Sequence, residues 1–188
     1  DTEVFAPLTD LYRVKVGRRG LPPDAAERRV TTRPGVAAAM LLAPVAHAES
    51  LPRYGPRLEG FAYPHPVKTF AFISQAQPLE MAYLDVAPAT PNGRTVVLLH
   101  GKNFCAATWE SAIAALAAAG YRVVVPDQVG FCKSSKPTRY QYSLGQLAAN
   151  TQALLASLGI ERAVIVGHSM GGMLAARYAL QYAAATER

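Results

Sequence analysis

Residues 164–173 read Val-Ile-Val-Gly-His-Ser-Met-Gly-Gly-Met (VIVGHSMGGM): an apolar run, a glycine-rich bend, and then an alanine-rich stretch. The β-branched residues before the bend predict a strand, and the apolar spacing after it predicts a helix. Between them, Gly167-His168-Ser169-Met170-Gly171 has the G-x-S-x-G spacing of a sharp strand-to-helix turn with serine at its apex. Glycines are needed there because side chains at the flanking positions would collide with the neighbouring strand and helix, while the serine backbone is held in a strained conformation. Such a bend lifts the Ser169 hydroxyl to the N-terminus of a helix, where main-chain N–H groups and the helix dipole favour negative charge. Ser169 is therefore a candidate nucleophile. The alternative is an inert serine in a glycine-rich turn.

Upstream, the same alternation repeats. "TVVLLH" (95–100) and "YRVVVPD" (121–127) are β-branched runs of the kind buried on both faces of a sheet, as is "RAVIVG" (162–167). "AATWESAIAALAAAG" is predicted helical and closed by Gly120. "YSLGQLAANTQALLASLG" is predicted helical with Ser143 and Gln146 at capping-box spacing and Gly159 at its end. Three strand–helix units in series imply a mostly parallel sheet with helices on its faces. "VKTFAFIS" and "LEMAYLDV", joined by "QAQP", alternate apolar and polar residues and predict an antiparallel pair at one edge of that sheet. The fold class expected is α/β.

Ligands of open parallel sheets bind beyond the carboxyl ends of the strands. Three unusual segments fall there: "HGKNF", "DQVGFCKSS" and "GHSMGG". A carbonyl under attack develops negative charge and needs two preorganised donors. The main-chain N–H of Met170 is one. The other comes from the loop after the first buried strand, from Lys102 or alternatively Asn103. His100 reads as a strand-end histidine in satisfied hydrogen bonds that shapes this loop. Gly101, Asn103, Asp127, Gly167, His168 and Gly171 are expected to shape the site around it.

Together "HG", "PDQVGFCKSSKP" and "GHSMGG" make residues 67–188 resemble the α/β-hydrolase superfamily, in its esterase-like branch. The middle segment is similar to the family's D-x-x-G-x-G-x-S stretch at Asp127, Gly130 and Ser134, with Cys132 in place of the second glycine. The resemblance implies an enzyme acting by acyl transfer to water on an ester-like carbonyl of a small-molecule substrate, with no cofactor and no metal. A serine at 169 argues against the relatives that use aspartate there, the haloalkane dehalogenases and epoxide hydrolases. It favours esterases, lactonases, C–C bond hydrolases and some aminopeptidases. The alternative from another class is a catalytically dead binding module on the same fold. In the superfamily's strand order the first two buried strands are neighbours, which would let Cys105 and Cys132 form a disulfide bracing the oxyanion loop in an exported protein; two buried thiols are the alternative. Lys102, Lys133 and Lys136 would either steer anionic substrates or be solvated loop charges.

A serine nucleophile needs a base and an orienting acid, which in this family follow it in the order Ser, Asp/Glu, His. After Ser169 the chain offers only Glu187, and no histidine. His47, His65, His100 and His168 stand elsewhere. The expectation is an incomplete α/β-hydrolase domain, the amino-terminal half, with no turnover of its own and an open sheet edge.

Residues 1–48 read as an extension ending in a signal-like segment: Arg28, Arg29 and Arg33, the apolar Val36–Ala46, and Ala46-His47-Ala48 before a cleavage point. Export to a periplasm or beyond is the expectation, with a short buried or amphipathic helix as the alternative. Residues 49–66, with four prolines, read as an extended, hydrogen-bond-poor linker, and 67–188 as the catalytic half-domain. The net charge of +6 is diffuse and lacks a basic–aromatic stripe, which excludes a nucleic-acid reading. Two cysteines exclude a disulfide-rich scaffold or a four-cysteine metal site. No apolar run reaches the roughly 18 residues of a membrane-spanning helix.

Overall fold

In the computed structural model, residues 53–187 are described. The expectations for residues 1–48, including the signal-like segment, lie outside them.

Edge pairing comes first in the chain. Strand β1 (Lys68–Ser74) turns into β2 (Gln77–Val86) through Gln75 and Ala76 alone, both at positive φ (49° and 57°). Two central residues with φ > 0 match the right-handed twist of a hairpin. The connection is thus two residues, and Gln77 and Pro78 belong to the strand rather than to the turn expected at "QAQP". The β-branched runs then form β3 (Thr95–Leu99), β4 (Arg122–Pro126) and β5 (Val164–Gly167). The sheet order is β1-β2-β4-β3-β5, with β3 parallel to both β4 and β5 and β2 antiparallel to β4. From β3 the chain passes first to one side and then to the other, which makes β3 the topological switch point.

The helices are cut where the local chemistry cuts them. A 3-10 turn (Ala106–Trp109) leads into α1 (Glu110–Ala118), which ends with Gly120 at φ 88°. Gly120 and Tyr121 donate back to Ala117 and Leu116 carbonyls, a Schellman closure. Helix α2 (Leu144–Ser157) ends the same way at Gly159 (φ 67°), and begins with the Ser143 hydroxyl accepting the Gln146 N–H at 3.1 Å. Only that half of the capping box is among its bonds: the Gln146 side chain reaches Ser74 and Asn150 instead. Helix α3 (Met170–Gln181) follows β5 directly. Val97, Leu99 and Val124 pack with Leu147, Leu154 and Leu155 of α2 and Leu174 and Tyr178 of α3. The alternate residues Val96, Leu98, Val123 and Val125 are equally buried and face the side that α1 covers. No described helix is long and apolar enough to cross a membrane.

Two expectations are corrected. β5 is half-buried along its length, not a buried strand, because β3 is its one full strand neighbour among the described residues. Its other edge carries one parallel bridge, Ala163 with Thr186, closed by Ala163 N–H to Ala185 O (3.0 Å) and Glu187 N–H to Ala163 O (2.9 Å). The Pro-rich segment, over its described part, is not hydrogen-bond-poor. It makes turns at Gly55–Leu58 and Leu58–Phe61, and Arg57 binds the Glu80 carboxylate (2.7 Å) and the Lys133 carbonyl (2.9 Å). Proline removes main-chain donors, so side chains fasten this segment.

Candidate active site

The site forms where β3 and β5 end side by side, with Leu99 opposite Gly167 and His168 N–H donating to Leu99 O (3.1 Å). At the next residue the chain must reverse into α3. Ser169 does this at φ 55°, ψ −119°, a conformation that costs an L-residue on the order of 1–3 kcal/mol. Two glycines let the surrounding backbone close on it. A Cβ on Gly167 would lie 2.0 Å from Gly171 O, and one on Gly171 would lie 2.0 Å from Leu99 O. Gly172 is different: a Cβ there meets nothing closer than 3.5 Å. The result is an exposed Ser169 at the head of a helix.

The first turn of α3 distributes its amides unevenly. Gly171 donates to His168 O, and Gly172 and Met173 donate to Ser169 O. Among the described residues, Met170 N–H has no protein acceptor. The same holds for Lys102 and Asn103 in the facing loop, where Phe104 N–H closes a tight turn onto Gly101 O at 3.1 Å and Asn103 sits at φ 66°. Asparagine tolerates this left-handed position. Gly101 holds the turn against Ser169: a Cβ there would be 3.2 Å from Ser169 Cβ and 2.8 Å from His168 Nδ1. The structure therefore brings Ser169, Met170, Lys102 and Asn103 together, with Gly101, Gly167 and Gly171 as the spacers.

His100 is fully buried with both ring nitrogens engaged. Nε2 accepts the Gln128 N–H (2.9 Å), which leaves the proton on Nδ1 to donate to Gly101 O (2.8 Å). Burial pushes its pKa below the usual histidine value, against the opposing pull of Gly101 O and Asp127. It is a neutral tie between the β3 and β4 loops. Asp127 is the second tie. Its Oδ1 accepts Ala106 N–H (2.7 Å); Oδ2 accepts Tyr63 Oη (2.6 Å) and Lys133 N–H (3.1 Å). Tyr63 is raised well above the ordinary tyrosine range, first by burial and then by this bond and the Asp127 charge. His168 stands beside Ser169, its ring edge-on to Phe104 at 5.3 Å.

Cys105 and Cys132 are joined as a disulfide across these two loops. Cys132 sits at φ 46°, the left-handed conformation that glycine adopts without cost.

Two groups considered from the sequence fall elsewhere. Glu187 lies beyond α3 in an ion pair with Arg94 (2.9 Å), next to the start of β3 and so at the opposite end of that strand from Ser169. Lys133 and Lys136 do not face a substrate: Lys133 Nζ binds Leu58 O (2.8 Å) over the Tyr63 ring, and Lys136 binds the carbonyls of Cys132 and Ser134. Lys102, by contrast, is exposed in the turn that Gly101 sets against Ser169.

Sequence reasoning missed a cavity of about 460 Å³ that opens next to Met170, lined by Phe131, Tyr142, Leu144, Leu147 and Met170. Phe131 lies in a strand-end segment, which was a usable signal; Tyr142 and Leu147 carried none. It also missed Tyr63, whose bond to Asp127 spans 64 residues.

The family model that matches, over residues 94–188, is that of the alpha/beta hydrolase fold. The chain is 41% identical over 90 residues to Epoxide hydrolase A of Mycobacterium tuberculosis (strain ATCC 25618 / H37Rv), covering 47% of this chain and 28% of that protein. Among solved structures, it is similar to a "probable hydrolytic enzyme" from Pseudomonas aeruginosa PAO1, with 67% identity and a TM-score of 0.72 over 73% of this chain and 44% of that one. It is also similar to the meta-cleavage product hydrolase CumD of Pseudomonas fluorescens IP01, with 33% identity and a TM-score of 0.55 over 63% and 42% of the two chains. The chain spans less than half the length of each of these relatives.

Proposed function

Because the chain belongs to the α/β-hydrolase fold family, we propose that it carries the nucleophile and oxyanion hole of a serine hydrolase, one that transfers the acyl group of a small ester-like substrate to water. The observation that carries this reading is the first turn of α3: Ser169 is strained and exposed, and Met170 has the one N–H of that turn without a protein acceptor among the described residues. Ser169 Oγ attacks the substrate carbonyl as a base removes its proton. The developing oxyanion is held by the N–H groups of Met170 and Lys102, with Asn103 as the alternative second donor. Collapse of the tetrahedral intermediate expels the alcohol and leaves an acyl-serine ester, which water then hydrolyses.

The base and acid come, on this reading, from chain outside these 188 residues. His100 has no ring nitrogen to offer, since one accepts Gln128 N–H and the other is bonded to Gly101 O. Glu187 is paired with Arg94 at the far end of β3. The relative named an epoxide hydrolase does not decide the substrate class here. A serine that opened an epoxide would be left as an ether, which water does not cleave, whereas an acyl-serine turns over.

Fluorophosphonate labelling of the intact protein tests the proposal. Labelling that vanishes in Ser169→Ala is expected; labelling indifferent to that substitution would sink the hydrolase reading and favour a binding module. The 188-residue chain by itself is expected to hydrolyse p-nitrophenyl acetate no faster than buffer, and a rate well above buffer would disprove the external base.

A further inference from the structure

We propose that the Cys105–Cys132 bridge is a redox-operated brace of the oxyanion turn, holding Cys132 in a backbone conformation that a glycine would otherwise supply. The consequence for turnover rests on the reading of Lys102 or Asn103 as an oxyanion donor. The structural part does not.

The bridge joins the two loops that flank the nucleophile. Cys105 directly follows the Gly101–Phe104 turn, and Cys132 lies in the loop leaving β4, 27 positions further along the chain, with their Cα atoms 5.8 Å apart. Each cysteine follows a phenylalanine that packs edge-on against a histidine of the site, Phe104 on His168 and Phe131 on His100, both at 5.3 Å between ring centres. Each is also followed by a residue whose N–H is bound by the same carboxylate: Ala106 to Asp127 Oδ1 and Lys133 to Asp127 Oδ2. The two loops are therefore tied twice, once covalently and once by a buried anion.

Cys132 is the strained member. At φ 46° an L-residue sits in the left-handed region, at a cost on the order of 1–2 kcal/mol. On this proposal the covalent tie to Cys105 keeps it there, together with the turn bond from Ser134 N–H to Phe131 O (3.0 Å). Both cysteines are partly exposed, so a small dithiol can reach them. In the exchange the dithiol's two thiols become a disulfide and supply two electrons and two protons; the Cys105–Cys132 bond breaks and two cysteine thiols form. Cys132 is then released to negative φ, carrying Phe131 off His100. Asp127 still holds Ala106 and Lys133, so the loops stay adjacent and the bridge can re-form.

The test compares the intact wild-type protein, oxidised or treated with dithiothreitol, with Cys105→Ser/Cys132→Ser and Cys105→Ala/Cys132→Gly. Two readouts are taken: amide exchange in peptides covering 101–106 and 129–134, and the rate of Ser169-directed fluorophosphonate labelling. Reduced wild type and the double-serine variant are expected to exchange faster in both peptides and to label roughly tenfold more slowly, short of the 100- to 1000-fold that outright loss of an oxyanion donor costs. The Cys105→Ala/Cys132→Gly protein is expected to match oxidised wild type within about twofold in both readouts, and to ignore dithiothreitol. Identical exchange in oxidised and reduced wild type would overturn the brace, as would a glycine variant as loose as the double-serine one, or two titratable thiols in denatured, unreduced protein. If nothing labels even in the oxidised protein, the hydrolase reading fails while the exchange data still judge the brace.

Discussion

Ser169 concentrates the cost of this site in one residue. Its φ of 55° and ψ of −119° are reached because Leu99, Gly167 and Gly171 leave the backbone no other path from β5 into α3. Chemical denaturation should separate the strain from the hydroxyl. Ser169→Gly is expected to raise stability by about 1 kcal/mol, because glycine reaches this conformation without the Cβ penalty. Ser169→Ala keeps that penalty and should stay within about 0.5 kcal/mol of wild type. A glycine variant no more stable than the alanine variant would show that the backbone is not strained. The glycine pattern around Ser169 was legible in the sequence as a five-residue spacing, and Gly167 does close on Gly171 within it, but the group that excludes a side chain at Gly171 is Leu99 of the neighbouring strand. Its counterpart at Cys132 was legible only as a departure from the family's glycine; that the cysteine keeps the glycine's positive φ is a property of the folded loop.

At the scale of elements, α3 shows why two adjacent glycines are not equivalent. Gly171 lies against the β3 carbonyls, whereas Gly172 meets only ordinary contacts at 3.5 Å or more. Gly171→Ala is therefore expected to destabilise by roughly 1–3 kcal/mol through overpacking. Gly172→Ala should stabilise by about 0.5–1 kcal/mol, since alanine loses less backbone entropy in a helix. Thermal melts of the two variants settle the contrast; similar shifts in both would contradict the close approach of α3 to β3. The helix ends at Gly120 and Gly159 and the cap at Ser143 were readable, since each is a bond closed within five residues. The burial of β5 was not, because it depends on which strands lie beside it.

The whole molecule adds a dependence on pH that no single element carries. His100 is buried and neutral, with a pKa pushed down by that burial, whereas the same side chain in the unfolded chain protonates near 6.5. Below about pH 6.5 the unfolded state binds the proton that the folded state refuses, so stability falls as pH drops through this range. Asp85 acts lower. Burial opposes its ionisation, but Arg122 and Lys68 at 2.9 Å hold its pKa below the ordinary value of 3.8. Its contribution is present above that pH and is lost as the pH falls beneath it. Urea melts from pH 8 to 3 should show a decline beginning near 6.5 that is shallower in His100→Gln; a flat profile down to pH 4 would contradict a buried neutral His100.

What the sequence determined by itself is whatever is encoded between near neighbours: the strand–helix alternation, the glycine-cut helix ends, the G-x-S-x-G bend and the resemblance these carry together. The tertiary structure decided what depends on strand order and distance along the chain. It set Glu187 beside Arg94 rather than near Ser169, clamped Tyr63 onto Asp127 across 64 residues, and turned Lys133 and Lys136 onto loop carbonyls. It also joined Cys105 to Cys132, and left the Met170 amide without a protein acceptor among the described residues. The physical reason is range: steric and capping preferences act over a few residues, whereas the partners of a buried carboxylate or a half-cystine are chosen only when the sheet brings distant loops to the same edge.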